Sequence, residues 1–203
     1  MKGSLFIISS PSGGGKGTLI RRALDELDNL KYSVSFTTRA MREGESDGVE
    51  YHFVTVPEFE ELMASGDLLE YAVVHGNYYG TSSSQIERAT DEGQDVILEI
   101  DVQGAKIVKR KRDEAINIFI LPPSFDVLAE RLRNRRTETE EQLRIRLENA
   151  RHEVEFFSSC DYIIVNDDLE RAVNELKSVI VAERLRRNRQ IEAVHDILTT
   201  FES

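Results

Sequence analysis

Four nearly continuous apolar runs stand out along the chain, at Leu5–Ser9, Val96–Ile100, Ile116–Leu121 and Tyr162–Val165. Runs this short, ended by polar or turn-forming residues, predict strands. Between them apolar positions recur at helical spacing over residues 16–28, 103–112, 125–155 (interrupted) and 169–188. Strands alternating with helices predict an α/β fold, a parallel core sheet flanked by crossover helices. Residues 32–82 break this rhythm. Short alternating segments at Tyr32–Phe36, Tyr51–Val54 and Leu68–Val74 surround one helix beginning after Pro57, which predicts a small, mostly β subdomain inserted into the core. The last helical pattern continues past Arg184-Leu185-Arg186-Arg187 with little apolar support until Ile191, Val194 and Ile197-Leu198, so it either frays or packs on a partner chain.

The first run leads into Ser10-Pro11-Ser12-Gly13-Gly14-Gly15-Lys16-Gly17-Thr18 and then the apolar-periodic Leu19, Ile20, Ala23, Leu24 and Leu27. The order is strand, tight loop, first turn of a helix. Glycines let successive N–H groups converge, which makes a nest for anionic oxygens at a helix N-terminus. Lys16 adds a charge that reaches the β- and γ-phosphates of a nucleotide. The run departs from G-x-x-x-x-G-K-[ST] at both ends, with Ser10 in place of the first glycine and Gly17 in place of the hydroxyl residue. Thr18 offers a hydroxyl one place on, on another face of the helix. Strand, glycines, lysine and helix still arrive in the order the mechanism needs. A nucleoside triphosphate is therefore expected on Ser12, Gly13, Gly14, Gly15, Lys16, Gly17 and Thr18.

A chain of 203 residues, 40% hydrophobic and 31% charged, suits one globular domain with room for small insertions. Its net charge of −11 argues against a general nucleic-acid binder and makes any cations in the site a local feature. Cys160 has no second cysteine to pair with and, set between Phe156-Phe157 and Tyr162, is expected to be a small buried thiol. No Cys/His cluster has metal-ligand spacing. Neither a signal peptide nor a bilayer-length apolar run is found, which predicts a cytoplasmic protein. The basic run Lys109-Arg110-Lys111-Arg112 reads as the solvated end of a helix, with cations at its negative pole.

Arg39 and Arg42, three apart on an irregular segment, suit capture of a phosphate from two sides. Glu70-Tyr71 follows on a strand, and then Gly76-Asn77-Tyr78-Tyr79-Gly80-Thr81. Asp101 closes an apolar run at a strand's C-terminal end, where open α/β sheets bind ligands. Orienting magnesium waters, contacting an acceptor nucleoside and capping the next helix all stand open for it. Thr137 with Glu140 resembles a capping box opening a second helix within 125–155. Arg131, Arg133 and Arg144, interleaved with glutamates, are expected to form surface pairs.

These stretches, joined by Ile100-Asp101-Val102-Gln103-Gly104, Ile118–Pro123, Arg135 with Thr137–Glu141, and Ile164–Asp168, resemble the bacterial-type guanylate kinases over nearly the whole chain. The resemblance implies a P-loop kinase fold in one domain: a core of about 1–31, 83–124 and 156–203, a GMP-binding insert of about 32–82 and a helical lid of about 125–155. It implies that MgATP and GMP, with dGMP as a further acceptor, give ADP and GDP. It puts the GMP phosphate on Arg39, Arg42, Tyr51 and Tyr79, the guanine edge on Ser35, Glu70 and Thr81, and Gly80 and Asp101 on the same side. Lys16, Arg39, Arg135 and Arg146 take catalytic roles, and Asn166 and Asp167 lie near the adenine; with no hydroxyl at Gly17, Mg²⁺ is expected on phosphates and water, with Asp101 open as a further contact. Asn134 and Arg136 flank Arg135 where the family often has glycines. Guanine chemistry supports the base assignment independently. A carboxylate accepts from N1–H and N2–H₂ while a hydroxyl donates to O6, whereas adenine would leave Glu70 unpaired.

Other classes fit less well. Guanylate-kinase-like scaffold modules bind phosphorylated partners and typically lack a working phosphate loop, which Lys16 and three glycines supply here. Glu70 with Ser35 and Thr81 argues against a nucleoside monophosphate kinase for another base. A regulatory GTPase would need an Asn-Lys-x-Asp motif, which does not occur. ATP and GMP are the expected partners, with no nucleic acid and no membrane, and a homodimer or higher homo-oligomer is left open.

Overall fold

The computed structural model describes residues 2–74, 76–134 and 140–201. The chain runs β1 (Leu5–Ser9), α1 (Lys16–Glu26), β2 (Leu30–Tyr32), β3 (Phe36–Thr37), β4 (His52–Phe53), α2 (Val56–Ser65), β5 (Leu68–Val74), β6 (Asn77–Ser82), α3 (Ser83–Asp91) and β7 (Asp95–Glu99). It continues through α4 (Val102–Lys111), β8 (Ile116–Leu121), α5 (Phe125–Asn134), α6 (Glu140–Glu153), a 3-10 segment (Val154–Ser159), β9 (Tyr162–Val165), α7 (Leu169–Arg184) and α8 (Arg187–Thr199).

β1 carries no polar residue before Ser9 and is buried along its length. Its pleat sends Leu5 and Ile7 to one face and Phe6 and Ile8 to the other, so each pair joins a different core. α1 and α7 cover the Phe6 face with Leu19, Ile20 and Ala23, and with Ala172, Val173, Leu176 and Ile180. α3 and α4 cover the opposite face with Ile86, Ala89, Val102, Ala105 and Val108. Each fully buried apolar side chain of β1 contributes about 2 kcal/mol. Among the described residues five parallel strands lie in the order β2-β7-β1-β8-β9, with Ile8 opposite Glu99. That register sets the loop after β1 beside the loop after β7, both at the carboxyl edge of the sheet.

A second, mixed sheet has the order β4-β3-β6-β5, with β3 and β4 parallel and the other pairs antiparallel. α2 is started by a capping box between Thr55 and Glu58. It packs on this sheet through Phe59, which is fully buried and stacked on Tyr78 with centroids 5.1 Å apart. A Cβ on Gly80 would stand 2.9 Å from Phe59 Cζ, so glycine is what lets the helix close on the sheet.

The four apolar runs form strands within a residue of their expected limits, and the parallel sheet flanked by helices is the expected architecture. Elsewhere the structure corrects the reading. The expected strand Tyr32–Phe36 is divided between sheets: Tyr32 closes β2, paired with Ile97 in the core, while Phe36 opens β3, paired with Gly80. Alternation shows that a segment is extended but not which strand it pairs with. α3 was not expected, because its buried face is only Ile86, Ala89 and Thr90; the serine run before it is a cap, with Ser82 accepting from the Gln85 N–H at 3.1 Å. The last helical pattern breaks at Leu185-Arg186, and α8 is a separate helix with Ile191, Val194, Ile197 and Leu198 exposed. The basic run is not simply solvated, since Lys109 donates to the Ala115 carbonyl at 2.6 Å and Lys111 to that of Leu69 at 2.6 Å, while Arg112 pairs with Glu87. Cys160 is half-buried against the α4 core, and burial pushes its thiol up to about 12. The Thr137–Glu140 box, Arg135 and Arg136 involve positions outside the described residues. Among the described residues no helix is long and apolar enough to cross a membrane.

One buried carboxylate ties the end of the chain to its start. Asp95, 3% exposed, accepts from the Ser4 N–H at 2.6 Å and from Arg184 Nε at 2.6 Å, with Arg189 Nη2 at 3.5 Å. Removing it leaves two arginines facing a buried gap, so Asp95→Ala is expected to cost about 3 kcal/mol in urea unfolding. A loss below about 1 kcal/mol would mean that the cluster behaves as a surface pair.

Candidate active site

The loop between β1 and α1 takes its shape from two glycines in left-handed conformations, Gly13 at φ 92° and Gly15 at φ 85°. The Gly14 N–H donates to the Pro11 carbonyl at 2.9 Å, closing the turn. Gly15 is the N-cap of α1 and no side chain caps that end, so its first-turn N–H groups point outward as an anion site. The loop is braced from behind. Asn166 Nδ2 donates to the Gly14 carbonyl at 3.0 Å, and Arg131 Nη2 donates to the Asn166 carbonyl at 2.8 Å. A Cβ on Gly15 would stand 2.5 Å from Asn166 Nδ2 and 3.7 Å from Arg131 Nη1. At the mouth of the nest, the Ser12 N–H donates to Glu153 Oε2 at 3.0 Å, joining the end of α6 to the loop.

A cavity of about 890 Å³ opens in front of this loop, between the carboxyl edge of the core sheet and the second sheet. Lys16, Gly17, Tyr32, Glu99, Ile100 and Asp101 line one side, and Ser35, Tyr51, Glu70, Tyr79 and Gly80 the other. Lys16 Nζ lies 3.4 Å from Glu99 Oε1, and the Tyr32 hydroxyl donates to Glu99 Oε2 at 3.3 Å. Burial, then the Glu99 charge, pushes the Tyr32 phenol well above its ordinary range, so it stays a donor. Asp101 is the N-cap of α4, with Oδ1 accepting from the Gly104 N–H at 2.8 Å, and it also lines the cavity.

Glu70 is a buried carboxylate, 8% exposed, on the opposite wall. Thr81, fully buried beside it, donates its hydroxyl proton to Glu70 Oε1 at 2.6 Å. Oε2 faces α4, where a Cβ on Gly104 would stand 3.3 Å from it. Burial holds the Glu70 carboxyl above its ordinary value and the Asp101 charge adds to this, while the Thr81 bond and the Lys111 charge oppose it. Tyr51 and Tyr79 meet edge to face at 5.7 Å. Arg39 lies behind them rather than in the cavity lining, 5.4 Å from the Tyr51 centroid and held by both Glu45 oxygens at 2.8 and 3.0 Å.

The structure therefore gathers Lys16, Gly17, Ser35, Tyr51, Glu70, Tyr79, Gly80 and Asp101 around one space, with Thr81 directly behind Glu70. It leaves others outside the lining. Arg42 is exposed, its main-chain N–H on Glu45 at 2.8 Å; Thr18 is exposed on α1; Asp167 is exposed and paired with Arg171; Arg146 is half-buried on α6. Arg135 lies outside the described residues. Two members were missed. Glu99 sits at the end of the same apolar run as Asp101, and the argument that singled out one carboxylate applies to both. Arg131 is not a surface pair as expected. One nitrogen holds Asn166, and the other is buried with no hydrogen-bond partner among the described residues. Arg144 does pair on the surface, with Glu141 at 2.8 Å.

The family model described as guanylate kinase matches residues 2–183. A guanylate kinase of Neisseria gonorrhoeae is 53% identical over 197 residues, covering 97% of this chain and 96% of its own. One from Methylobacillus flagellatus is 49% identical, covering 98% of each. The crystal structure of guanylate kinase from Anaplasma phagocytophilum superposes with a TM-score of 0.74 at 35% identity, covering 93% of this chain and 89% of that one.

The buried state of Glu70 has a measurable sign. A carboxyl whose folded value lies above its unfolded one binds its proton more tightly when folded, so ionisation of Glu70 costs stability as pH rises through the raised value. Glu70→Gln removes that cost. The ligand-free variant is expected to melt above the parent at neutral pH, with the gap closing as pH falls into the ordinary carboxylate range. A variant less stable than the parent at neutral pH would contradict this.

Proposed function

The chain belongs to the guanylate kinase family, and on that premise we propose how its cavity seats two nucleotides. The activity is ATP-dependent: the terminal phosphoryl of ATP passes to GMP, giving ADP and GDP. Such a transfer asks little covalent chemistry of the protein, so positioning and charge stabilisation carry it.

The observation that carries the assignment of the acceptor is the buried Glu70 carboxylate on the cavity wall. It is placed to accept from guanine N1–H and N2–H₂ together. Thr81 spends its proton on Glu70 at 2.6 Å, so the donor to O6 falls to Ser35, which lines the same space. Tyr51, Tyr79, Arg39 and Arg42 take the GMP phosphate. The two rings stand together in the cavity, and Glu45 braces Arg39 bidentately behind them. Gly80 contributes main chain to the same wall, and Asp101 faces the nucleoside from the core side.

On the donor side Lys16 and the N–H groups of Ser12 to Thr18 hold the phosphates. Arg131 joins them, because its buried Nη1, without a hydrogen-bond partner among the described residues, lies beside Gly15. Asn166 serves chiefly by bracing Gly14, with Asp167 next to it at the adenine side. Arg135 and Arg146 are the lid cations, on a segment that Glu153 already ties to the loop. The donor set suits a hydrated Mg²⁺. Glu99 and Asp101 present carboxylates at the strand end, Gly17 offers no hydroxyl, and among the described residues no three His, Cys, Asp or Glu side chains form a cage. Mg²⁺ arriving with ATP and keeping most of its waters fits that arrangement, with Glu99 and Asp101 holding those waters. When bound, the ion neutralises charge on the transferring phosphates.

A coupled ADP-release assay with GMP, dGMP, AMP, CMP and UMP tests the reading. Guanine nucleotides should be strongly preferred. Glu70→Gln sets an amide donor against a guanine donor, and losing one buried pair costs about 1–3 kcal/mol. It should lower kcat/KM for GMP accordingly, narrow the GMP:AMP preference and leave KM for ATP unchanged. Lys16→Ala should lose on the order of 10²-fold in turnover with the fold intact. Parental GMP efficiency in the Glu70 variant would mean that guanine is read elsewhere, and normal turnover in the Lys16 variant would sink the catalytic assignment.

A further inference from the structure

The strand that carries Glu70 is irregular where it matters. Leu68 stands opposite Ser82 and Glu70 opposite Thr81, so β5 advances two residues while β6 advances one. Leu69 is the extra residue of a β-bulge. The consequence is visible in burial. Leu68, Leu69 and Glu70 are all buried in succession, where a regular strand would alternate. Leu69 packs into the α4 core with Val102, Ala105 and Val108, and Glu70 is delivered to the cavity beside Thr81. A bulge leaves the main-chain groups of its extra residue outside the regular ladder, and a buried carbonyl needs a donor from elsewhere.

That donor comes from α4. Lys111, in its last turn, does not cap its own helix; Nζ reaches across to the Leu69 carbonyl at 2.6 Å and lies 3.5 Å from that of Leu68. Seven residues earlier on the same helix, Gly104 leaves the space that Glu70 Oε2 occupies. We propose that Lys111 is a positioning residue for base recognition: by holding the bulged Leu68-Leu69 carbonyls from the core side, it fixes the register at which Glu70 meets guanine. The proposal rests on Glu70 being the guanine acceptor. Lys111 touches neither nucleotide. Its positioning effect passes through the main chain of β5, where a charged donor on a carbonyl makes one of the stronger hydrogen bonds, and its charge also favours the ionised form of Glu70.

Lys111→Met keeps the length of the stem and removes the donor. It should raise KM for GMP on the order of tenfold, leave KM for ATP unchanged and narrow the GMP:AMP preference, with thermal unfolding of the ligand-free protein showing an intact fold. Lys111→Arg, which keeps the charge and two or more donors, should restore most of the affinity. In the Glu70→Gln background Lys111→Met should cost clearly less than in the parent, since one of the two pairs whose geometry it fixes is already lost. A parental KM for GMP in Lys111→Met, an equal rise in KM for ATP, or full additivity in the double variant overturns the proposal. Glu70→Gln alone separates the two ideas. If it impairs GMP use and Lys111→Met does not, only the positioning role fails; if it has no effect, the reading of Glu70 fails and the positioning role with it.

Discussion

A carboxylate kept at 8% exposure is the constraint around which the second sheet is built. Taking such a group out of water costs on the order of several kcal/mol unless its lone pairs are met. Here one oxygen receives Thr81 and the other faces the cavity and α4, with Asp101 adding like charge rather than relief. Thr81 thus engages Oε1, and the carboxylate lines the cavity with Oε2 beside α4. On the proposed assignment a purine edge with two adjacent donors complements that carboxylate, and an edge without them leaves it unpaired. Discrimination follows from burial itself, because in an exposed carboxylate water would repair the mismatch.

The core sheet solves a different problem, the gathering of cations and N–H groups on an acidic chain. With a net charge of −11, attraction of polyphosphates cannot come from the overall field. It comes from local geometry: glycines at positive φ, an uncapped helix start, Lys16 held 3.4 Å from Glu99, and Arg131 drawn inward by Asn166. The Ile8–Glu99 register makes these parts neighbours, because adjacent parallel strands release their loops on the same edge.

How far the sequence reveals this depends on the kind of signal. β1, β7 and β8 are legible because strands buried on both faces need uninterrupted apolar residues, and few other local structures do; the edge strand β9 is legible from its short apolar run alone, since Ile163 and Val165 are exposed. The phosphate loop is legible because its glycines and lysine are consecutive. β2, α3 and β6 are less so. Tyr32 and Phe36 look like one alternating strand although their partners lie in different sheets, and the polar run Ser82-Ser83-Ser84 resembles a loop although Ser82 caps a helix. Arg131 was misread because residue spacing shows its glutamate neighbours but not the fold-dependent approach of Asn166, 35 positions away. Lys111 is the same case, its partners lying 42 and 43 residues upstream on another strand. Pairings set by tertiary approach leave no local pattern, whereas elements built from nearest neighbours do.

The β7–α4 connection is where the two halves of the site become one. Within a single strand-to-helix passage, Glu99 meets Lys16, Asp101 caps α4 while facing the cavity, Gly104 makes room for Glu70, and Lys111 grips the strand that carries it. A packed element in contact with both the proposed phosphate loop and the proposed base reader would hold their separation constant. Phosphoryl transfer needs that constancy, since misplacement of reacting groups by about 1 Å costs on the order of 10²-fold in rate. On the proposed assignment, binding energy gained at the guanine edge can act on the reacting phosphorus through this connection. The apolar face of α4, Val102, Ala105 and Val108, is buried in the core, so the proposed base site and the proposed phosphate loop are joined through a packed helix.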